Sequence, residues 1–354
     1  MKETRTILHI DLDAFFASCE ERENPQFQGM PIVVGADPKE GKGRGVVSTA
    51  NYSARKFGIH SALPISRAWH LCPAAIFLPV NSALYSRVSS FVMKILKSTS
   101  QKYSGIFEQA GIDEAYLNLP GSPRSRGGSS GSDPVGLAKT IKQKIFNQQK
   151  ITASIGIGPN MLIAKIASDF QKPDGLTVVK AKDVQKFLDP MPIRKLPGIG
   201  PKTEYGLKKF MVQTVADLRK IPQSTLYDEF GQQGISLYES ARGIDHRVVD
   251  EESETKSISE EYTFEHDTDS AQKILPIFFS LIKNVLRTAE SGGYKNFKTI
   301  TIKIRYADFK THTKSKSGKY AAKDSDAIER LALQLLWPFL NRKIRLIGFR
   351  VSGF

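Results

Sequence analysis

Residues 105–119, GIFEQAGIDEAYLNL, decide how the fold is read. Two apolar segments, Ile106-Phe107 and Ala115 to Leu119, flank the pair Asp113-Glu114. The second segment alternates as a half-buried strand does, and Ala110-Gly111 is a turn signal. The stretch therefore predicts a β-hairpin with an acidic pair beside its turn. Carboxylates held together in an apolar sheet repel one another and lose hydration. A divalent cation removes both costs, and an exposed turn avoids them by leaving both charges solvated. The pair alone does not choose between the two.

Outward from the hairpin, RTILHIDL (5–12) reads as a strand with Asp11 at its end. Asp13 follows as a possible N-cap of a helix over AFFASCEE. Residues 81–102 read as a helix with Leu84, Val88, Phe91, Ile95 and Leu96 on one face. After the hairpin come a Gly/Ser-rich loop at 120–134, a helix from about Val135 to Gln149, the strand ITASIGIG from Ile151 and a helix over 160–170. With the insert of residues 20–80 set aside, the order is strand, helix, strand, strand, helix, strand. That is the split βαβ arrangement of a ferredoxin-like domain, in which the first strand lies beside the central hairpin. Asp11 would then meet Asp113 and Glu114. The insert itself reads as two short strands (Ile32-Val33-Val34 and VVSTA), the loop DPKEGKGRG between them, then NYSARKFGI and a helix between Pro64 and Pro73.

The bulk properties agree with such a site. The chain has 354 residues, enough for several domains, and a formal net charge of +15. A chain this basic points to a polyanionic partner, nucleic acid first. No apolar run is long enough to span a bilayer, and no secretory segment opens the chain. Cys19 and Cys72 lack metal-type spacing and read as reduced, buried thiols. The charge is uneven: residues 295–354 hold 14 Lys/Arg against 4 Asp/Glu, whereas 250–265 are acidic.

Residues 181–245 read as helical and contain LPGIGPKTEYGLKKF (196–210), the form of a helix-hairpin-helix. Gly198 and Gly200 would let backbone amides approach a DNA phosphate, and Lys202, Lys208 and Lys209 would add charge. After an acidic linker the remainder again reads strand, helix, strand, strand, helix, strand. In TITIKIRY and KIRLIGFRV basic and apolar residues alternate. One sheet face would pack on helices while the other presents Lys303, Arg305, Arg345 and Arg350 to a nucleic-acid backbone.

Five motifs now stand in order: IDLDAFFASCE (10–20), STANYSARKFGI (48–59), GIDEAYLN (111–118), SIGIGPNMLIAKIASDFQKPDG (154–175) and LPGIGPKT (196–203). Together they resemble a Y-family DNA polymerase of the DinB (DNA polymerase IV) type, over essentially the whole chain. The resemblance implies an α+β multidomain protein. It would have a ferredoxin-like βαββαβ palm (1–20 and 78–166), small fingers (21–77) and a helical thumb (167–243). A linker (244–255) and a C-terminal βαββαβ little finger (256–354) would follow. It implies low-fidelity translesion synthesis from dNTPs on primer-template DNA, with two Mg²⁺ ions. Asp11 and Asp113 would bridge both ions, Glu114 would complete the site of the ion that activates the primer 3′-hydroxyl, and the Leu12 carbonyl would help hold the other. Asp13 would be a helix cap or a group supporting the ligands rather than a direct ligand. Tyr52 and Arg55 resemble the family's phosphate clamp, with Thr49 on the neighbouring strand, and Lys172 its second cation. Phe16 falls at the steric-gate position, under the deoxyribose. Phe15 beside it is grouped with the nucleotide pocket, although its own pattern reads as a core aromatic. Val46 and Ser48 would lie near the templating base.

The chain departs from the family's usual pattern at Gly111 (more often Ser), at Asn118 (often Asp) and in its acidic linker. Many relatives carry a clamp-binding tail with Gln and paired aromatics. This chain stops at GFRVSGF, so a sliding clamp is a partner implied without a clear tail to bind it. A cytoplasmic monomer is the expected form. A nucleotidyl cyclase would use a similar palm but needs no duplex-binding modules. A non-catalytic scaffold would not need the three carboxylates.

Overall fold

The computed structural model describes residues 6–119, 133–251 and 254–354, so nearly all of the loop expected at 120–134 lies outside the described residues. In chain order, β1 (Thr6–Leu12) leads into α1 (Phe15–Glu23). Next come β2 (Ile32–Gly35), β3 (Val47–Ala50), α2 (Tyr52–Arg55), α3 (Ile65–Leu71) and β4 (Ile76–Leu78). Then follow α4 (Ser82–Lys102), β5 (Ile106–Gln109), β6 (Glu114–Leu119), α5 (Pro134–Gln149), β7 (Ala153–Gly158), α6 (Met161–Phe170) and β8 (Leu176–Val178). The helical stretch holds α7 (Val184–Leu188), α8 (Pro201–Lys208), α9 (Val215–Lys220), α10 (Gln223–Phe230) and α11 (Gln232–Ala241). The last part is β9 (Ser257–Thr268), α12 (Ala271–Ser291), β10 (Asn296–Tyr306), β11 (Thr311–Ala321), α13 (Ser325–Leu336) and β12 (Ile344–Ser352). These elements form two compact units: residues 1–35, 47–62 and 74–253, and residues 36–46, 63–73 and 254–354.

In the first unit the main sheet has the order β5-β6-β1-β7-β8, and β3-β2-β4 form a smaller one. Alternation along β1 sends Leu8, Ile10 and Leu12 to one face. There they share a core with Leu117 of β6, Ile155 of β7, Val88 and Val92 of α4, and Ile141 of α5. Phe91, expected on the buried face of α4, is half exposed, because the buried stripe is centred on Val88 and Val92 and Phe91 falls at its margin. The other sheet face carries Ile7, His9 and Asp11, aligned with Asn118, Tyr116 and Glu114 of β6 and with Gly158, Gly156 and Ser154 of β7. Helix α6 lies directly on this face. A Cβ on Gly156 would stand 2.0 Å from the Ala164 carbonyl oxygen and 2.3 Å from the Ser168 nitrogen, so only glycine admits the helix this close.

Two expected boundaries move. A thumb starting at residue 167 would cut α6, and β8 pairs in parallel with β7 (Ile155↔Leu176), so the chain to Val178 belongs to the palm sheet. The start of the expected linker is packed rather than loose. Val249 is buried with Ile7, Tyr116 and Met161, and the Asp245 carboxylate accepts from the Leu162 N–H at 2.8 Å.

In the second unit the sheet order is β11-β10-β12-β9. Ile300, Ile302 and Ile304 of β10 and Ile347, Phe349 and Val351 of β12 pack on Phe278 and Ile282 of α12 and Ile328 and Ala332 of α13. Both units thus realise the strand order β-α-β-β-α-β in the chain, yet their sheets are wired differently.

Candidate active site

Register sets the carboxylates. Asp11 pairs with Glu114 across β1 and β6, at the end of the sheet face covered by α6. Asp113 lies in the hairpin turn just before β6, and its carbonyl accepts from the Leu12 N–H at 2.9 Å, which ties that turn to β1. Lysines answer two of these charges. Lys172 Nζ donates to Asp11 Oδ1 at 2.6 Å, and Lys165 of α6 pairs with Glu114 Oε2. His9 Nε2 also lies 3.1 Å from Glu114 Oε2, and its Nδ1 lies 2.7 Å from Ser168 Oγ. The ligand atoms of His9, Asp11 and Glu114 fall within 4.8 Å of one another. Asp113 is not drawn into that cluster.

The titration directions follow from these contacts. Hydrogen bonding from His9, helped by Lys165, holds Glu114 down at about 2. Burial pushes Asp11 up despite Lys172, and burial together with the neighbouring Glu114 pushes Asp113 up. Burial lowers His9 below the usual imidazole value. A buried, mutually repelling set of carboxylates that collects ammonium groups is chemically suited to cations.

Of the roles expected for Asp13, the helix cap is not taken up. Helix α1 begins at Phe15 behind Ala14 in a left-handed conformation (φ 45), with no side-chain cap, so Asp13 does not cap it. Its carboxylate turns instead toward β7 and the loop before β8. In the segment that carries Tyr52 and Arg55, Asn51 builds the base of α2: its Oδ1 accepts from Ala54 N and Ile32 N, and its Nδ2 donates to Glu21 and to the Met30 carbonyl. This cap places Tyr52 and Arg55 on one short helix, the guanidinium 4.7 Å from the Tyr52 ring centre, with Arg55 Nε bonded to the Ala50 carbonyl at 2.9 Å. Phe16 is partly open and stacks on Tyr85 at 4.2 Å with the rings nearly parallel. Phe15, by contrast, is 2% exposed in the core, so its side chain offers no face to a nucleotide, which corrects its grouping with that pocket. Thr49 and Ser48 are half-buried on β3, and Val46 is exposed.

Comparison with known proteins settles what this arrangement belongs to. Residues 10–169 match the impB/mucB/samB family, 255–354 the C-terminal domain of that family, and 194–245 the DNA polymerase-iota thumb domain. The chain is 45% identical to DNA polymerase IV 2 of Methanosarcina mazei, over 99% of this chain and 92% of that protein. It is 42% identical to DNA polymerase IV of Streptococcus sanguinis, covering 99% and 97%. Among solved structures, the Y-family DNA polymerase chimera Dbh-Dpo4(243-245)-Dbh is similar with a TM-score of 0.82 at 30% identity, covering 99% of each chain. The insertion ternary complex of Dbh DNA polymerase has a TM-score of 0.69 at 29% identity, again covering 99% of each chain.

The chain belongs to the Y-family DNA polymerases, of the DinB type.

It is a DNA-directed DNA polymerase, and its activity is template-directed translesion synthesis. Polymerases of this family depend on divalent metal, and the oxygen-rich cluster at Asp11 and Glu114 fits that requirement. Among the described residues no helix is long and apolar enough to cross a membrane.

The residues expected to grip DNA are arranged unevenly in this polymerase. Gly198 has φ +88, a conformation that favours glycine, and open space at its Cβ position; Gly200 is the N-cap of α8, with Pro201 and the exposed Lys202 in its first turn. Exposed Lys208 follows, but Lys209 is paired with Glu229. On the open face of the C-terminal sheet, Thr301↔Arg350, Lys303↔Gly348 and Arg305↔Leu346 are neighbours, so Lys303, Arg305 and Arg350 share that face. Lys303 reaches over Gly348 to Glu261 at 2.7 Å. Arg345 sits at the β-bulge between Ile344 and Leu346, stacked 4.4 Å from the Phe309 ring and 3.9 Å from Asp267. It therefore stands apart from the other three.

Sequence reasoning missed His9, Lys165, Asn51 and Tyr85. A polar His9 among apolar neighbours and an Asn51 standing where a helix cap would were the visible signals; Lys165 and Tyr85 gave none, because their partners Glu114 and Glu20 lie 51 and 65 positions away.

Proposed function

We propose that the polymerase binds primer-template DNA and a dNTP, and joins them at a site holding two Mg²⁺ ions on Asp11, Asp113, Glu114 and the Leu12 carbonyl. The observation that carries this reading is the pairing of Asp11 with Glu114, each already facing an ammonium group from Lys172 or Lys165. Carboxylate and carbonyl oxygens suit a hard, octahedral cation. When bound, two such ions lower the pKa of the primer 3′-hydroxyl and neutralise charge on the reacting phosphate.

The chain's own residues supply the rest. Lys165 and His9 keep Glu114 ionised and fixed in orientation. Lys172 and Arg55 bind triphosphate oxygens, with Tyr52 beside them and Thr49 on the adjacent strand; the planar guanidinium can take two oxygens at once. The Phe16 ring, held flat by Tyr85, leaves no room for a 2′-hydroxyl. Val46 and Ser48 face the templating base. The amides around Gly198 and Gly200, with Lys202, take a phosphate of the duplex, and Lys303, Arg305, Arg345 and Arg350 take others. A cytoplasmic monomer suits this role.

Manganese, which has a paramagnetic signal, tests the metal reading. Titrated into the protein with primer-template and a non-reacting dNTP analogue, it should saturate at two ions per complex. One ion, or saturation unchanged in Asp11→Ala, overturns the assignment.

A further inference from the structure

We infer that Asp13 is a positioning residue for the nucleotide's triphosphate: it anchors the loop that carries Lys172 and draws in Tyr52, and it is not a metal ligand. The inference rests on the reading of Lys172 and Tyr52 as triphosphate contacts.

Asp13 is 2% exposed, yet four donors converge on its two oxygens. Oδ2 accepts from the Asp174 N–H at 2.8 Å and from Thr152 Oγ1 at 2.8 Å. Oδ1 accepts from Ser154 Oγ at 2.7 Å and, at a longer 3.4 Å, from the Tyr52 hydroxyl. Ser154 Oγ in turn accepts from the Gly175 N–H at 3.1 Å. The backbone just after Lys172 is thus pinned at two successive N–H groups, one by Asp13 directly and one through Ser154. Lys142 holds the same loop from outside, donating to the Gly175 carbonyl at 3.0 Å. Lys172 itself points back to Asp11.

Only a carboxylate meets this demand. It offers about four acceptor sites on two oxygens, whereas an amide replaces one oxygen with a donor that would face two of these donors. With its lone pairs engaged by protein donors, Asp13 has none left for an ion. Asp11, two residues earlier and on the same side of the strand, faces Glu114 and Lys172 instead. The two aspartates of the Asp-Leu-Asp run thus divide the work: one faces the reacting groups, the other sets the height and angle of the loop whose lysine meets the triphosphate. Left-handed Ala14 makes this division possible, because it turns the chain into α1 without calling on Asp13 as a cap.

Steady-state incorporation of one nucleotide by the full chain tests this, with Asp13→Asn, Lys172→Ala and the double variant. Asp13→Asn should raise the dNTP KM roughly tenfold while kcat changes less, as loss of a supporting partner does. The Mg²⁺ concentration for half-maximal rate and the DNA Kd should stay unchanged. Lys172→Ala should raise KM in the wild-type background and add little to Asp13→Asn, because the lysine is already misplaced there. Thr152→Val, which removes one donor and keeps the volume, should shift KM in the same direction by less, and it serves if Asp13→Asn fails to fold. Additive effects of Asp13→Asn and Lys172→Ala, or of Thr152→Val and Lys172→Ala, overturn the inference. A raised Mg²⁺ requirement with unchanged KM overturns it in favour of a metal ligand. If Lys172→Ala alone leaves KM unchanged, the reading of Lys172 fails, and the inference with it.

Discussion

The palm sheet and the C-terminal sheet are built from the same order of elements but not the same wiring. Numbered within each domain, the palm strands lie fourth-first-third-second (β7-β1-β6-β5), with β8 added beyond the fourth. The C-terminal strands lie first-fourth-second-third (β9-β12-β10-β11). In the palm the first and third strands are therefore central, and their facing residues, Asp11 and Glu114, sit beneath α6. In the C-terminal sheet the second and fourth strands are central, and their open-face residues Lys303, Arg305 and Arg350 stand in half-buried or exposed positions. The difference fits the chemistry proposed for each. Carboxylates that hold ions gain from a low-dielectric setting and fixed neighbours, whereas basic groups that meet a DNA backbone must stay within reach of it.

The comparison breaks most sharply at the palm. Asp113→Ala or Glu114→Ala should lower single-nucleotide incorporation by about 10³-fold, the scale on which lost electrostatic stabilisation of a transition state is felt, and leave DNA Kd within twofold. A primer-extension rate close to wild type would remove the carboxylates from the site. The C-terminal sheet should answer in the opposite pattern. Replacing Lys303, Arg305 and Arg350 with Ala together should lower the slope of log Kd against log salt by about three and weaken DNA binding, with kcat for a saturated complex unchanged. An unchanged slope in a fluorescence-anisotropy titration would mean that the face does not meet phosphate.

Phe16→Ala should raise ribonucleotide use, about 10²-fold in the ratio of kcat/KM values, since a removed steric clash is worth a few kcal/mol. Tyr85→Ala, which removes the ring behind Phe16, should raise it less. Competition between a dNTP and the matching rNTP reads both, and no change with Phe16→Ala would place the gate elsewhere. Glu261→Gln frees Lys303 and should tighten DNA binding slightly, about two- to threefold, the value of an exposed pair.

The smallest effects are on metal-free stability. Glu114 has its folded pKa lowered to about 2, so it contributes stability above the unfolded carboxylate value that is lost as pH falls through that value toward 2. Asp113 has its folded pKa raised, so its contribution is present at low pH and lost as pH rises through the raised value. At neutral pH, in chelator, Glu114→Gln should therefore melt at a lower temperature than wild type and Asp113→Asn at a higher one. A calorimetric scan that gives both shifts the same sign would contradict the paired contacts.

Much of this protein is legible in the amino-acid order because the relevant signals are local. Alternation of period two marks β6, β10 and β12, apolar spacing marks α4, and Pro-Gly-Ile-Gly marks the entry to α8. The resemblance carried by five motifs added the family. Misreadings arose where a local rule met a distant partner. Asp13 was open to two readings, a helix cap or a supporting group, and donors from 139 and 161 residues away exclude the cap. Phe91 has helical spacing, but the stripe that faces the sheet is turned away from it. The resemblance put the start of the helical thumb at 167, yet residues 176–178 still pair with β7. The first strand beside the hairpin was expected from the element order and is found in the palm, whereas the different strand order of the C-terminal sheet was decided only in three dimensions. Chain pattern determines which residues share a face, but which strand lies beside which depends on how the crossover helices close over the sheet. Sequence by itself determined the presence of three carboxylates at strand ends and a basic C-terminal sheet. The meeting of Asp11 with Glu114 was already implied by the element order; tertiary structure decided that Lys165 and Lys172 would pair with them and that Asp13 would turn away, because those contacts join segments 51 to 161 residues apart.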